Sequence, residues 1–231
     1  MLLSETRWPE VDAAPRRVLV VPVGSLEQHG PHLPLDTDTR IAVAVASRAV
    51  TSRGLPGVAV APAVAIGASG EHAAFPGTLS IGTEALTTVL LELGRHAGLH
   101  WPATLLVNGH GGNLAAISAA LRRLSYEGRE VRAWHASVPG GDPHAGRTET
   151  SLLLAIAPDS VRLAEAAAGN TQPMREIMPV MRERGVRAVS PNGVLGDPAG
   201  ASAAEGAELL DELAARLTGE LEVLWQSVSP S

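Results

Sequence analysis

The 231-residue chain contains neither cysteine nor lysine. The absence of cysteine excludes disulfides, a cysteine nucleophile and thiolate zinc sites. All 18 basic residues are arginine, which excludes a lysine Schiff base and a P-loop lysine. Any metal must therefore sit on histidine and carboxylate. No apolar run reaches the roughly 18 residues of a membrane span, and Met1-Leu2-Leu3-Ser4-Glu5 lacks the apolar core of a signal peptide. The expectation is a soluble, cytoplasmic protein with no membrane partner. The arginines are scattered and the formal net charge is -6, so there is no electrostatic footprint for nucleic acid. There is no internal repeat and no linker.

What is present is enough apolar residue, 45% of the chain, to bury a core, and one α/β domain over 1–231 is expected. Apolar runs predict strands over 18–23, 58–66, 103–107 and 131–136, with Pro62 placing the second at an edge or a bulge. Between and after them, helical patterns cover 37–53, ended by Gly54 with Pro56 beyond. Others run from Gly82-Thr83-Glu84 to about 99, over 113–126 with Asn113 as N-cap, over 150–157, and over about 201–225. Strand and helix alternate, so the connections are of the βαβ kind and the sheet mostly parallel. Residues 1–16 read as irregular and peripheral, and 158–191 carry no clear signal.

Each predicted strand empties into a glycine-rich loop with histidine or acid. Open parallel sheets bind ligands outside the carboxyl ends of their strands, where four such loops meet. Five of the eight histidines lie in these loops, namely His29, His32, His72, His110 and His144. His96, His100 and His135 do not, and read as ordinary helix-surface or strand residues. Glu27 and His29, two apart on extended chain, point to one side, and a proline- and glycine-rich turn returns Asp36 or Asp38 towards them. Either aspartate could equally cap the helix at 37. Gly109-His110-Gly111-Gly112-Asn113 could cradle phosphate at a helix N-terminus, but it lacks the G-x-G-x-x-G spacing, and His110 as a ligand is preferred. Glu149 alone would serve to complement a helix dipole. Glu71-His72 fits a surface pair as well as a site, and Asp142 fits a turn beside Pro143.

Three separated motifs, Glu27-Gln28-His29-Gly30-Pro31-His32-Leu33-Pro34 with Asp38, Asn108-Gly109-His110-Gly111-Gly112-Asn113, and His144-Ala145-Gly146 with Glu149-Thr150-Ser151, resemble the creatininase family of metal-dependent amidohydrolases. The resemblance runs from about residue 18 to 206. Gly67-Ala68-Ser69-Gly70-Glu71-His72, Pro139-Gly140-Gly141-Asp142-Pro143 and Gly193-Val194-Leu195-Gly196-Asp197-Pro198 draw it towards a peptide-cleaving member of that family.

The resemblance implies a three-layer α/β/α sandwich with a two-metal centre. Carried over position by position, Glu27, Asp38 and His110 hold one divalent ion, while His29 and the bridging Asp38 hold the other. Creatininase has a further glutamate ligand where this chain has Gly112, and Glu149 is the expected substitute. It also has a glutamate where Pro143 stands. Both departures set the chain apart from creatinine hydrolysis and fit the peptide-cleaving member. His144 is expected as the catalytic proton carrier, with Glu71, His72 and Asp142 meeting the substrate. The ions, Zn²⁺ or Fe²⁺ with Mn²⁺ also compatible with such ligands, would activate water and polarise the scissile carbonyl. No acyl-enzyme burst should then occur. The implied substrate is a modified precursor peptide, cut to release its C-terminal Val-Tyr-derived unit, and the implied assembly a homo-oligomer. A small cyclic amide or formamide is the alternative substrate, and a non-catalytic nucleotide-binding module the alternative class.

Overall fold

The computed structural model describes residues 1–229. Four parallel strands, β1 (Val18–Val23), β2 (Val58–Val60), β3 (Ala103–Asn108) and β4 (Val131–His135), lie in the order β2-β1-β3-β4. Val20 pairs with Leu105, Val23 with Asn108, and Asn108 with His135, so the carboxyl ends of β1, β3 and β4 are level. Every residue of β1 and β3 is buried. Such a continuous apolar run is what a strand covered on both faces requires.

The covering helices divide by the two-residue alternation of the strands. Val18 and Val20 point to one side, where they meet Ile41 and Val45 of α2 (Thr37–Arg53), Leu153 of α5 (Arg147–Ile156), and Leu213 and Leu217 of α7 (Ala203–Ser227). Leu19, Val21 and Val23 point to the other, against Leu86 and Leu90 of α3 (Gly82–Ala97) and Ile117 and Ala120 of α4 (Leu114–Tyr126). The result is an α/β/α sandwich. Each fully buried leucine stabilises it by about 1.5–3 kcal/mol. Helix α7 presses closely on α5, since a Cβ at Gly206 would lie 1.8 Å from the Ser151 carbonyl oxygen.

Several local details differ from the sequence reading. Strand β2 is three residues long because Pro62 cannot donate to the ladder, and beyond it only Val64 returns to pair with Val23. Residues 1–16 are not irregular throughout. Leu2 pairs with Val60, the Met1 carbonyl accepts from Val60 N, and α1 (Trp8–Asp12) follows. That segment covers part of the open edge of β2. Helix α6 (Met174–Arg184) forms in the stretch that carried no clear signal, with Pro179 inside it. Its Ile177 packs with Val186 and Leu195 in a small third cluster. Among the described residues no helix is long and apolar enough to cross a membrane.

Candidate metal centre

Glycines bring the loops at the strand ends into contact. A Cβ at Gly24 would lie 2.5 Å from Thr39 Cα, and one at Gly109 would lie 2.4 Å from the Asp38 carbonyl oxygen. Side chains at either position would push the first turn of α2 away. With glycine there, Asp38 enters from α2 while Glu27 and His29 come from the β1 loop and His110 from the β3 loop. The Glu27 N–H closes the β1 loop by donating to the Leu35 carbonyl at 2.9 Å. Glu27 and His29 are wholly inaccessible, and Asp38, His110, His72 and His144 are buried as well. A cavity of about 270 Å³, bounded by Asp38, His110, His144, Glu149, Ile41 and Leu152, opens on this group.

Three imidazoles follow one pattern. His29 donates Nδ1–H to the Glu27 carbonyl at 3.1 Å, His110 donates Nε2–H to the Ala68 carbonyl at 3.2 Å, and His144 donates Nε2–H to the Gln28 carbonyl at 2.8 Å. A carbonyl only accepts, so in each neutral ring the other nitrogen is bare. Those bare nitrogens face carboxylates. His29 Nε2 is 3.0 Å from Asp38 Oδ1 and 3.8 Å from Glu149 Oε2, His110 Nδ1 is 3.2 Å from Asp38 Oδ2, and His144 Nδ1 is 3.7 Å from Glu27 Oε1. At the 3.0 and 3.2 Å separations from Asp38, acceptor against acceptor requires a cation or a proton between them.

The electrostatics agree. Burial, and then the charge of Asp38, pushes the Glu27 carboxyl up to about 8. Burial alone would lower the His29 imidazole, yet the Asp38 carboxylate outweighs it and pushes it up to about 10. Glu149 is raised to about 7 by burial. Neither carboxylate oxygen of Glu27 receives a hydrogen bond among the described residues, although burying an unpaired carboxylate costs several kcal/mol. Glu27, Asp38 and His110 place ligand atoms within 4.8 Å of one another, as do His29, His144 and Glu149, and as do Glu27, His72 and His144. Hard carboxylate oxygens with imidazole nitrogens suit Zn²⁺, Fe²⁺ or Mn²⁺, so the residues fit divalent ions.

The remaining expected residues divide. His72 is turned the other way from the three histidines above, because its Nδ1 accepts from Gln28 Nε2 at 2.8 Å. Its Nε2–H side then faces Glu27 Oε1 at 3.3 Å, and burial lowers its pKa to about 4. The carboxylate of Asp142 is fully engaged, accepting from Arg147 N, Thr148 N and Thr148 Oγ1 at 2.8–2.9 Å. It starts α5 three residues earlier than position 150 and borders the cavity as a cap rather than as a free ligand for substrate. Asn113, expected to cap α4, does not do so with its side chain. Its Oδ1 accepts from Ala68 N, and its Nδ2 donates to the Gly24 carbonyl and Asn108 Oδ1, tying three strand-end loops together. His32 stands behind the centre with Nε2 2.9 Å from Thr150 Oγ1. Sequence reasoning gave no role to Gln28. Its amide accepts from Gly30 N and donates to the Gly193 carbonyl and to His72, and its only sequence signal is its place between Glu27 and His29.

The family model described as creatininase, creatinine amidohydrolase, matches residues 4–221. The chain belongs to the creatininase family. Mycofactocin precursor peptide peptidase of Mycolicibacterium smegmatis is 56% identical to it over 199 residues, covering 85% of this chain and 81% of that protein. Among solved structures, the one described as creatininase Mn superposes with a TM-score of 0.78 at 28% identity, covering 97% of this chain and 98% of that one. A glutamate-to-glutamine mutant creatininase of Zn-Zn type gives a TM-score of 0.79 at 26% identity with the same coverage. Creatininase-family folds thus include Mn- and Zn-bound centres, and this member carries histidine and carboxylate groups able to hold such ions.

Proposed function

We propose that this protein is a metal-dependent peptidase that hydrolyses a peptide bond near the C-terminus of the modified mycofactocin precursor peptide, releasing the Val-Tyr-derived unit. The observation that supports it most is the set of imidazole nitrogens turned onto the buried carboxylates of Asp38 and Glu27, the latter without a hydrogen-bond donor, in a chain 56% identical to a protein of that name. Two divalent ions per subunit, Zn²⁺ or Fe²⁺ with Mn²⁺ as the alternative, complete the proposal. So do a single catalytic unit over 1–231, a cytoplasmic location, and, on the strength of the family resemblance, a homo-oligomer.

Glu27, Asp38 and His110 would hold one ion, and His29, Asp38 and Glu149 the other. When bound, the ions supply Lewis-acid polarisation of the scissile carbonyl and a more acidic water. The chain supplies position and proton traffic. Backbone carbonyls of Glu27, Ala68 and Gln28 fix the tautomers of His29, His110 and His144, the usual way in which partners of ligating histidines orient them. Burial, with the charges of His29 and His72, holds His144 well below the ordinary imidazole range. It therefore starts neutral, with Nδ1 free. As the water oxygen bonds to the carbonyl carbon, Nδ1 takes the water's proton. As the C–N bond breaks, it gives that proton to the leaving amine.

The test is cleavage of the synthetic modified peptide, with products identified by mass spectrometry. Chelation should abolish cleavage, and added Zn²⁺, Fe²⁺ or Mn²⁺ should restore it. Intact peptide alongside turnover of creatinine or a formamide would replace the peptidase reading with the small-amide one. Failure of the purified chain to take up any divalent metal would remove both.

A further inference from the structure

The carboxylate of Glu71 stands where a side chain at position 112 would be. It is delivered by the short 3-10 turn Gly70–His72 at the end of the β2 loop. Its backbone is closely covered from outside, because a Cβ at Gly185 would lie 2.7 Å from the Glu71 carbonyl oxygen. From there Glu71 Oε1 reaches to 3.3 Å from His110 Nε2, the same Nε2–H that faces the Ala68 carbonyl at 3.2 Å and Glu27 Oε2 at 3.1 Å. An ideal Cβ at Gly112 would lie 2.4 Å from His110 Nε2, 2.4 Å from the Ala68 oxygen and 2.5 Å from Glu71 Oε1. No side chain fits that space while the carboxylate and the imidazole are both in place. Gly112 has a negative φ and needs no glycine for its backbone conformation, so the requirement comes from the Ala68 carbonyl and the two side chains packed over it.

We infer that Glu71 is a positioning residue of the metal centre, sharing the His110 Nε2–H with the Ala68 carbonyl and the Glu27 carboxylate and so keeping His110 Nδ1 bare towards Asp38. The inference rests on the metal-centre reading above. It replaces a substrate contact for Glu71 with an action on the ion through His110. Charged acceptors behind a ligating histidine fix its tautomer and raise its basicity, and their loss commonly weakens metal affinity about 10–100-fold.

The decisive measurement is the Zn²⁺ dissociation constant, obtained by competition with a chelator. It is set beside kcat and KM on the modified peptide under saturating Zn²⁺, for the full chain and for Glu71→Ala, Glu71→Gln, Gly112→Ala and the Glu71→Ala/Gly112→Ala double variant. Glu71→Ala should weaken Zn²⁺ binding by about 10–100-fold with KM nearly unchanged. Glu71→Gln, which keeps an accepting oxygen, should lose less. Gly112→Ala, whose Cβ meets His110 Nε2 and the Ala68 oxygen as well as the Glu71 carboxylate, should weaken Zn²⁺ binding at least as much as Glu71→Ala, and the double variant should lose less than the product of the two single losses because both disturb the Glu71–His110 contact. If Gly112→Ala does not fold, Glu71→Ala and Glu71→Gln decide alone. Unchanged Zn²⁺ affinity with a raised KM in Glu71→Ala would overturn the inference in favour of a substrate contact. A wild-type chain that takes up no Zn²⁺ would instead overturn the metal-centre reading, and this inference with it.

Discussion

His29 turns its Nδ1–H to the Glu27 carbonyl at 3.1 Å and presents Nε2 to Asp38 Oδ1 at 3.0 Å, while the other oxygen of Asp38 lies 3.2 Å from His110 Nδ1. Each oxygen of one carboxylate thus faces a different imidazole, as the proposed bridge requires. Asp38→Ala should lower metal content at both positions, whereas His29→Ala should empty mainly one. Metal per subunit, counted by elemental analysis, checks this. Full occupancy in Asp38→Ala would remove the bridge.

Glu149 Oε2 accepts from Ala145 N at 2.6 Å and lies 3.8 Å from His29 Nε2. It is expected to close the shell of the ion held by His29. Anomalous diffraction at the metal edge should find it at bonding distance, about 2.0–2.2 Å for Zn–O. Glu149→Ala should lose one ion per subunit and keep the other. A Glu149 carboxylate more than about 3 Å from every ion would sink the assignment.

His144→Ala should keep its metal and its affinity for peptide while turnover falls by about 10² to 10⁴. Single-turnover cleavage and metal analysis on one preparation measure both. Lost metal would make His144 a ligand, as its place beside His29 and Glu149 allows. Normal turnover would remove it from the mechanism.

The metal-free centre should weaken as pH rises from about 7 to 9. Glu27 is raised to about 8 and His29 to about 10 in the folded chain. Folding therefore binds protons that the unfolded chain, with ordinary values of 4.5 and 6.5, has released by then. That contribution is complete below the unfolded values and is lost as pH climbs through the folded ones. The lowered groups, His72, Asp38 and His144, act only below about 6.5 and do not oppose this in the window. A bound cation takes the proton's place, so the difference in denaturant midpoint between metal-loaded and chelated protein should widen with pH. A gap that narrows would contradict the proposed proton-for-metal exchange.

Gly206→Ala should destabilise the fold without touching the centre. The added Cβ would meet the Ser151 carbonyl oxygen at 1.8 Å and its carbon at 2.3 Å. Backbone cannot yield as a side-chain end does, so α7 must move off α5. Overpacking of this kind typically costs about 1–3 kcal/mol, readable as a lower denaturant midpoint with metal content unchanged. An unchanged midpoint would show that the two helices separate freely.

Much of this arrangement could be read from local patterns. The run Val18-Leu19-Val20-Val21-Pro22-Val23 specifies a strand buried on both faces, and helix α2 spans Thr37–Arg53 as the periodicity and Gly54 predict. Chain order determines that successive strands run parallel, and parallel strands bring their C-terminal loops to one edge. The family motifs name Glu27, His29, Asp38, His110 and Glu149 as candidates for one centre. None of that required knowing which atoms touch.

The tertiary structure alone decided what each polar group does there. Asp142 becomes a helix cap, since Arg147 N and Thr148 N need an acceptor that its loop position happens to supply. Gln28 joins His72, 44 residues on, to Gly193, 165 residues on. The volume above Gly112 is taken by Glu71 from another strand end. Helical and strand periodicities record which face of an element is buried, and over a few residues they do so well. They carry no record of hydrogen-bond direction or of shared volume between segments distant along the chain, which only the packed chain establishes.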